Sequence, residues 1–286
     1  MHRLSGPEPT PDARSEIRAG ERFAFGNNWS HFLELLDDTR ITEAVESLTA
    51  MLHVDHLHGQ RFLDIGSGSG LFSVAARRLG AAVVSFDYDP SSVACTAELR
   101  RRHSREDDSW QVLEGSVLDR TLLATLGQFD IVYSWGVLHH TGDMWAALSN
   151  VVDMVQPGGW LFISIYNDQG GRSRAWLRIK RRYNAAGPVG RWVLLQAIDL
   201  AFRARSLGPM RSAYRRATRQ SAPEGRARRR GMDRHYDLID WVGGYPFEVA
   251  KPEQVFDFYR ERGFVLERLK TCAGGIGCNE YVLRKL

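Results

Sequence analysis

The residues best suited to chemistry stand in one short stretch, Arg61 to Ser73, reading RFLDIGSGSGLFS. Phe62, Leu63 and Ile65 flank Asp64, and Gly66, Gly68 and Gly70 follow at alternate positions. An apolar helical pattern then starts at Leu71 and runs through Val74, Ala75 and Leu79. The order is strand, glycine turn, helix. Alternate glycines let the backbone turn sharply and approach a ligand where a Cβ would collide. The helix behind them aims its free N–H groups into the turn. The next apolar run, Ala82 to Phe86, ends in Asp87. An acid about 20 residues past a glycine turn, at the tip of the neighbouring strand, is placed to accept hydrogen bonds from both ribose hydroxyls.

Dinucleotides and S-adenosylmethionine are both held by such a device. The dinucleotide fingerprint spaces its glycines G-x-G-x-x-G, whereas here they read Gly66-x-Gly68-x-Gly70, with Asp64 directly before the turn. A carboxylate there would repel a pyrophosphate but not the ammonium and sulfonium of S-adenosylmethionine. On these residues the chain resembles the class I (Rossmann-like) S-adenosylmethionine-dependent methyltransferases, whose first motif is D/E-x-G-x-G-x-G. The resemblance covers about residues 61–168 and 251–286.

Strands at Trp110 to Leu113, Phe129 to Tyr133 and Trp160 to Tyr166 alternate with helices opening at Asp89-Pro90, Leu122 and Met144, and Pro157-Gly158-Gly159 reads as a turn. This rhythm argues for a parallel α/β sheet with ligands at the carboxyl ends of its strands. Ser67, Asp87, Ser116, Ser134 and Tyr166 all fall at such ends. After Asp168 the rhythm breaks for about 80 residues and resumes at Pro252, with an apolar helix face of Val255, Phe258 and Tyr259, a stop at Gly263 and a final hairpin. Its turn, holding Gly274, Gly275 and Gly277, is read as a hairpin turn because no helix follows it. The expected architecture is a seven-stranded, mostly parallel sheet whose last strand is antiparallel. We divide the chain into a disordered tail (1–20), an N-terminal helical extension or lid (21–60), the cofactor-binding core (61–168), an Arg-rich helical insertion or cap (169–250) and the closing helix and hairpin (251–286). Ser30 is an expected helix N-cap within the extension.

The resemblance implies S-adenosylmethionine as cofactor. It places Asp64, Gly66, Ser67, Gly68 and Gly70 around the methionine part, Asp87 on the ribose and Tyr88 against the adenine, with Ser116, Val117, Ser134 and Trp135 completing the site. Many relatives carry an acid where this chain has Ser116, so the adenine contact passes to the backbone near Val117. Methyl transfer leaves a proton to remove from an O or N acceptor, and a base near neutrality helps. His139 and His140 follow the fourth strand, and one or the other is the leading base candidate, with packing or capping the competing role. Tyr166 joins them as a catalytic candidate. Asn167 and Asp168 would border the acceptor, Tyr245 and Glu248 could form the opposite wall, and Trp29, with Asn27 and Asn28, could close over the cofactor or simply pack. The loop SWGVLHHTG lacks the N/D-P-P-Y/F signature of base-amine methylation, and no Pro-Cys nucleophile is present. It is similar to small-molecule methyltransferases of the quinone and natural-product type.

Charge divides the chain. From Arg172 to Arg234 there are 18 Lys and Arg against Asp199, Glu224 and Asp233, a net of +15. The whole chain is +4, so the remainder carries −11. Within this segment Val189 to Ala204 is apolar nearly all round, which suits a cap over the acceptor, a homodimer contact or a helix lying in a membrane interface. The run Arg226 to Arg230 lacks interleaved aromatics, which disfavours nucleic acid. No metal-ligand spacing is present, and Cys95, Cys272 and Cys278 read as reduced thiols in a cytoplasmic protein. The N-terminal stretch has no apolar signal region. The reading is methyl transfer from S-adenosylmethionine to O or N of a small-molecule, peptide or carrier-bound biosynthetic intermediate. The alternatives are an RNA-modifying enzyme docking through the basic insertion, and a cofactor-binding protein without transferase activity.

Overall fold

Apolar runs of five to twelve residues, separated by helices with one apolar face, build a three-layer arrangement with the sheet in the middle. The computed structural model describes residues 12–26, 29, 33, 36–103, 109–206, 234–275 and 277–286. The strands are β1 (Arg61–Ile65), β2 (Ala82–Asp87), β3 (Trp110–Glu114), β4 (Phe129–Trp135), β5 (Val155–Tyr166), β6 (Phe264–Lys270) and β7 (Cys278–Lys285). They form one seven-stranded sheet in the order β3-β2-β1-β4-β5-β7-β6. β7 runs antiparallel to both β5 and β6, and every other pairing is parallel. This is the expected Rossmann-like architecture. Strand order reverses between β1 and β4, so a crevice opens outside their carboxyl ends, where open α/β sheets take ligands.

The helices are α1 (Ala13–Ala19), α2 (Asp38–Leu52), α3 (Leu71–Arg78), α4 (Pro90–His103), α5 (Arg120–Leu126), α6 (Met144–Met154), α7 (Gly171–Ala185), α8 (Pro188–Ser206), α9 (Arg234–Gly243) and α10 (Pro252–Arg260). Alternation along each strand sends neighbours to opposite faces. Leu63 and Val132 meet α6 and α10 through Leu148, Val151, Val255 and Tyr259. Phe62, Ile131 and Tyr133 meet α2, α3 and α4 through Leu48, Val74, Ala75 and Leu99. A third, smaller cluster of Tyr183, Leu195 and Val242 ties α7, α8 and α9 of the insertion to one another.

Two local expectations change. The stretch expected as a disordered tail contains α1, whose N-cap Asp12 accepts from the Ser15 N–H and whose Gly20 stop adopts φ 74°. It is held to the core because Glu16 pairs with Arg22 at 2.5 Å and accepts from the Tyr88 hydroxyl at 3.2 Å. Pro157-Gly158-Gly159 lies within β5: Phe129 already pairs with Val155, and a register shift before Ile131 accommodates the intervening residues. Asn27, Asn28, Ser30 and Arg226 to Arg230 lie outside the described residues.

The insertion leaves and re-enters the core at one place. The Asp168 N–H donates to the Ala250 carbonyl, and the Ala250 N–H donates to the Tyr166 carbonyl. A loop of 82 residues (169–250) thus closes at the carboxyl end of β5.

Candidate active site

The glycine turn is fixed from behind by buried polar side chains. Asp64 is 2% exposed, and its Oδ2 accepts from the Ser73 hydroxyl at 2.5 Å. Ser73 is 2.7 Å from Ser85, whose Oγ accepts from Trp110 Nε1 at 2.8 Å. Each hydroxyl has one proton, so the chain runs Trp110 to Ser85 to Ser73 to Asp64 and joins β3, β2, α3 and β1. Burial raises the Asp64 pKa to about 7 against the Ser73 hydrogen bond. Gly66, Gly68 and Gly70 have φ of 73°, 55° and 83°, a region open to glycine but strained for other residues. A Cβ on Gly66 would lie 2.4 Å from Val137, so the β1 turn and the loop after β4 pack directly together.

Asp87 is seated on this turn. Its Oδ2 accepts from the Gly68 N–H at 2.9 Å, and its Oδ1 accepts from the Asp89 N–H at 2.9 Å. Burial pushes its pKa up to about 6, opposed by these backbone donors. A carboxylate offers about four lone-pair sites, so two donors leave capacity for a ribose diol. No side chain caps the N-terminus of α3, and its first N–H groups suit a ligand carboxylate. The donor set therefore fits S-adenosylmethionine. Ser67 bonds Thr96 at 2.9 Å, and Thr96 in turn donates to the Gly68 carbonyl.

The N-terminal extension lies over the same turn. A Cβ on Gly68 would lie 2.9 Å from the Trp29 indole, and the Gly26 N–H donates to Asp89 at 2.8 Å. Tyr88 carries the Arg22 guanidinium 4.7 Å from its ring centroid, and burial pushes its pKa up to about 12. Ser116 accepts from the Leu118 N–H within its own loop, and the Val117 carbonyl accepts from Asn150. Ser134 is fully buried and donates to the Ile65 carbonyl, while Trp135 packs against the α2–α3–α4 side of the core.

Across the crevice, a short 3₁₀ turn over Leu138–His140 buries both histidines. The His140 Nδ1 lies 2.5 Å from the Pro246 carbonyl. A carbonyl only accepts, so Nδ1 carries the proton in the neutral ring, and Nε2 is the nitrogen able to take one. The Arg22 guanidinium donates to the His140 carbonyl, and the Glu248 N–H donates to the His139 carbonyl. The Glu248 carboxylate accepts from the Met144 N–H at 2.9 Å, and burial raises its pKa. The Tyr245 carbonyl accepts from the Phe23 N–H. The His139 and Tyr166 rings sit 4.0 Å apart, and Tyr166 also meets His140, Phe247 and Trp241. Asn167 accepts from Asn279, and the Asp168 carboxylate accepts from the Gly170 N–H. A small recess of about 20 Å³ opens here, lined by Tyr166, Asn167, Gln169, Ser173, Trp176, Trp241 and Phe247 among others.

The structure thus brings His139, His140, Tyr166 and Glu248 into one cluster and ties Asp168 and Asn167 to the mouth of the insertion. It adds residues that sequence reasoning missed. Lys180 is 1% exposed, donates to the Trp241 carbonyl, and lies 4.9 to 5.9 Å from the ring centroids of Phe247, Trp241 and Tyr166. Burial lowers its pKa to about 7, with Asp240 opposing. One lysine among 17 arginines in the basic segment was its signal in the sequence. Ser73 and Ser85, hydroxyls at apolar positions of a helix and a strand, were another. Among the described residues no group of three His, Cys, Asp or Glu is placed to hold a metal.

Comparison with known proteins gives a consistent result. A family model described as "Methyltransferase domain" matches residues 31–229. The ubiquinone biosynthesis O-methyltransferase of Brucella ovis is 30% identical over 141 residues, covering 47% of this chain and 54% of that protein. The enzyme of the same name from Parvibaculum lavamentivorans is 36% identical over 108 residues, 37% and 40% of the two chains. This chain therefore spans about half the length of the curated relatives it matches or less. Among solved structures, the magnesium protoporphyrin IX methyltransferase of Synechocystis PCC 6803 with bound S-adenosylhomocysteine superposes with a TM-score of 0.50 at 14% identity, over 98% of this chain and 90% of that one. An O-methyltransferase family protein from Burkholderia thailandensis gives 0.51 at 12% identity, over 96% and 67%. At such identities these two show a shared fold.

Proposed function

The chain belongs to the S-adenosylmethionine-dependent methyltransferase family, and from that premise we propose that it moves a methyl group to O or N of a small-molecule biosynthetic intermediate, free, peptidic or carrier-bound. The observation that carries the reading is one of placement. An acid seated on a glycine turn (Asp87 and Gly68) and a histidine–tyrosine cluster (His139, His140, Tyr166) share the carboxyl edge of one sheet, with Val137 against Gly66 between them.

When bound, the cofactor supplies an activated methyl whose sulfonium leaves as a neutral thioether. In our reading Gly66, Ser67, Gly68, Gly70 and Asp64 shape its cradle, Asp87 accepts from its ribose, and Trp29 and Tyr88 cover it. The leaving group is good, so positioning and exclusion of water supply much of the catalysis. In our reading the acceptor sits beside Tyr166, whose ring centroid is 5.4 Å from that of His140. His140, its Nδ1–H held by the Pro246 carbonyl, takes the acceptor's proton on Nε2. Tyr166, Asn167 and Asp168 border the acceptor, and Tyr245 and Glu248 hold the loop opposite. We assign the reaction to the cytoplasm because three cysteines, an odd number with no metal spacing, suit a reducing compartment.

The test is an untargeted mass-spectrometric comparison of cell extract incubated with S-adenosylmethionine, with and without the enzyme. The expected result is a small molecule gaining one methyl group only when the enzyme is present. Methylation confined to RNA would overturn the reading.

A further inference from the structure

Helix α8 has two apolar faces, and among the described residues only one is packed. Leu195, with Leu194 and Ile198, packs into the insertion's own small core. On the other side Val189, Trp192, Val193 and Leu200 are 76%, 62%, 51% and 68% exposed. At helical spacing these four fall within an arc of about 100°. They are four of the eight large apolar side chains left exposed among the described residues. Arg181 and Arg182 are exposed on α7, and Arg203 is exposed on α8 beside the stripe, paired at 2.6 Å with the one acid on α8, Asp199. Arg191 turns to the opposite side of α8, where it donates to the Tyr183 and Asn184 carbonyls.

We propose that this face of the insertion docks on an anionic bilayer surface, with α8 lying in the headgroup region. The charge distribution selects this occupant. The segment from Arg172 to Arg234 is +15 while the remainder of the chain is −11. An anionic surface attracts the insertion and repels the sheet domain, which orients the molecule with α8 toward the lipid. A second copy meeting through the same face would bring two +15 segments together. A phosphate backbone would engage the arginines but offers nothing apolar to Trp192, Val189 and Leu200. An apolar helix stripe within a strongly basic segment is the form that lies in a membrane interface. No described helix is long and apolar enough to cross a membrane, so the contact is peripheral. The docked helix packs on α7 and α9, which carry Trp176 and Trp241 of the recess beside Tyr166. This proposal stands whether or not the acceptor reading holds, because it concerns the outer face alone.

The experiment uses the full chain and vesicles of phosphatidylglycerol and phosphatidylcholine in equal parts, beside vesicles of phosphatidylcholine alone, scored by flotation. The expected result is binding to the anionic vesicles, weaker by at least about tenfold on the neutral ones. Val189→Ser, Trp192→Ser and Leu200→Ser together should weaken binding to anionic vesicles by at least about tenfold. These side chains are exposed, so the triple variant should keep the wild-type thermal melt. A control, Val265→Ser on exposed β6, should bind as wild type does. Absence of binding to anionic vesicles, or equal binding by the folded triple variant, overturns the proposal. So does a wild-type dimer that the triple variant converts to monomer, which would assign the face to a second copy. Salt-sensitive binding to bulk RNA in place of vesicles assigns it to nucleic acid.

Discussion

The two walls of the crevice are built differently. The wall we propose for the cofactor comes from one stretch, residues 61–89, and its shape rests on backbone: three left-handed glycines, the Gly68 N–H on Asp87, and a buried line of hydroxyls behind Asp64. The wall we propose for the acceptor joins segments far apart in the chain. His140 meets Pro246 across 106 positions, Met144 meets Glu248 across 104, and Lys180 reaches Trp241 across 61. Its shape rests on side chains, mostly rings. A backbone cradle suits a ligand that never changes, and a ring-lined wall supplied by an insertion can be reshaped without disturbing it. If so, the two walls should fail separately.

The largest effect is expected from His140→Ala. Loss of a general base lowers turnover by about a hundredfold or more, while S-adenosylhomocysteine affinity should stay within about twofold of wild type. Kinetics on the product found by mass spectrometry, paired with calorimetry, check both halves. A turnover loss under about threefold would demote His140 to packing. Glu248→Ala comes next. It strips the Met144 N–H of its acceptor at the start of α6, which should lower stability by about 1–3 kcal/mol in urea titrations. It should also lower turnover, again without weakening cofactor binding. A variant that lost the cofactor would show that the walls are coupled.

Lys180→Met should act on stability alone, visible as a pH dependence. The folded-state pKa of Lys180 is depressed to about 7 from an ordinary 10.5. Between those values the unfolded chain binds the extra proton, so this group makes wild-type stability rise with pH by up to about 1.4 kcal/mol per unit. Below about pH 7 the amine is charged in both states and the burial cost is complete. The methionine variant lacks this dependence, so its advantage over wild type should shrink from pH 7 to pH 9. Parallel stability curves would mean the amine is already solvated.

The same contrast explains what could be read from the sequence. The alternation of strands and helices, the glycine turn and Asp87 were legible because local pattern specifies them: short apolar runs, alternate glycines, an acid at the next strand tip. Asp89-Pro90 and Pro252 marked helix starts for equally local reasons. Lys180 was not legible, because its meaning depends on Phe247 and Trp241 folding back onto it. Nor was the bond from His140 to Pro246, which fixes the tautomer. The α1 helix was hidden by a proline-rich neighbourhood, and its anchoring needs Tyr88, distant in sequence from Glu16. Pro157-Gly158-Gly159 had the local chemistry of a turn, and the pairing of Val155 with Phe129 overrode it.

The central claim is that Asp87, seated on the glycine turn, holds the cofactor. Calorimetric titration of S-adenosylhomocysteine into wild type and Asp87→Ala tests it most directly, above pH 7 where the carboxylate is ionised. Each hydrogen bond to a charged acceptor is worth about 1.5–3 kcal/mol, so the variant should bind at least about tenfold more weakly. Equal dissociation constants for the wild type and a folded Asp87→Ala protein would contradict the account.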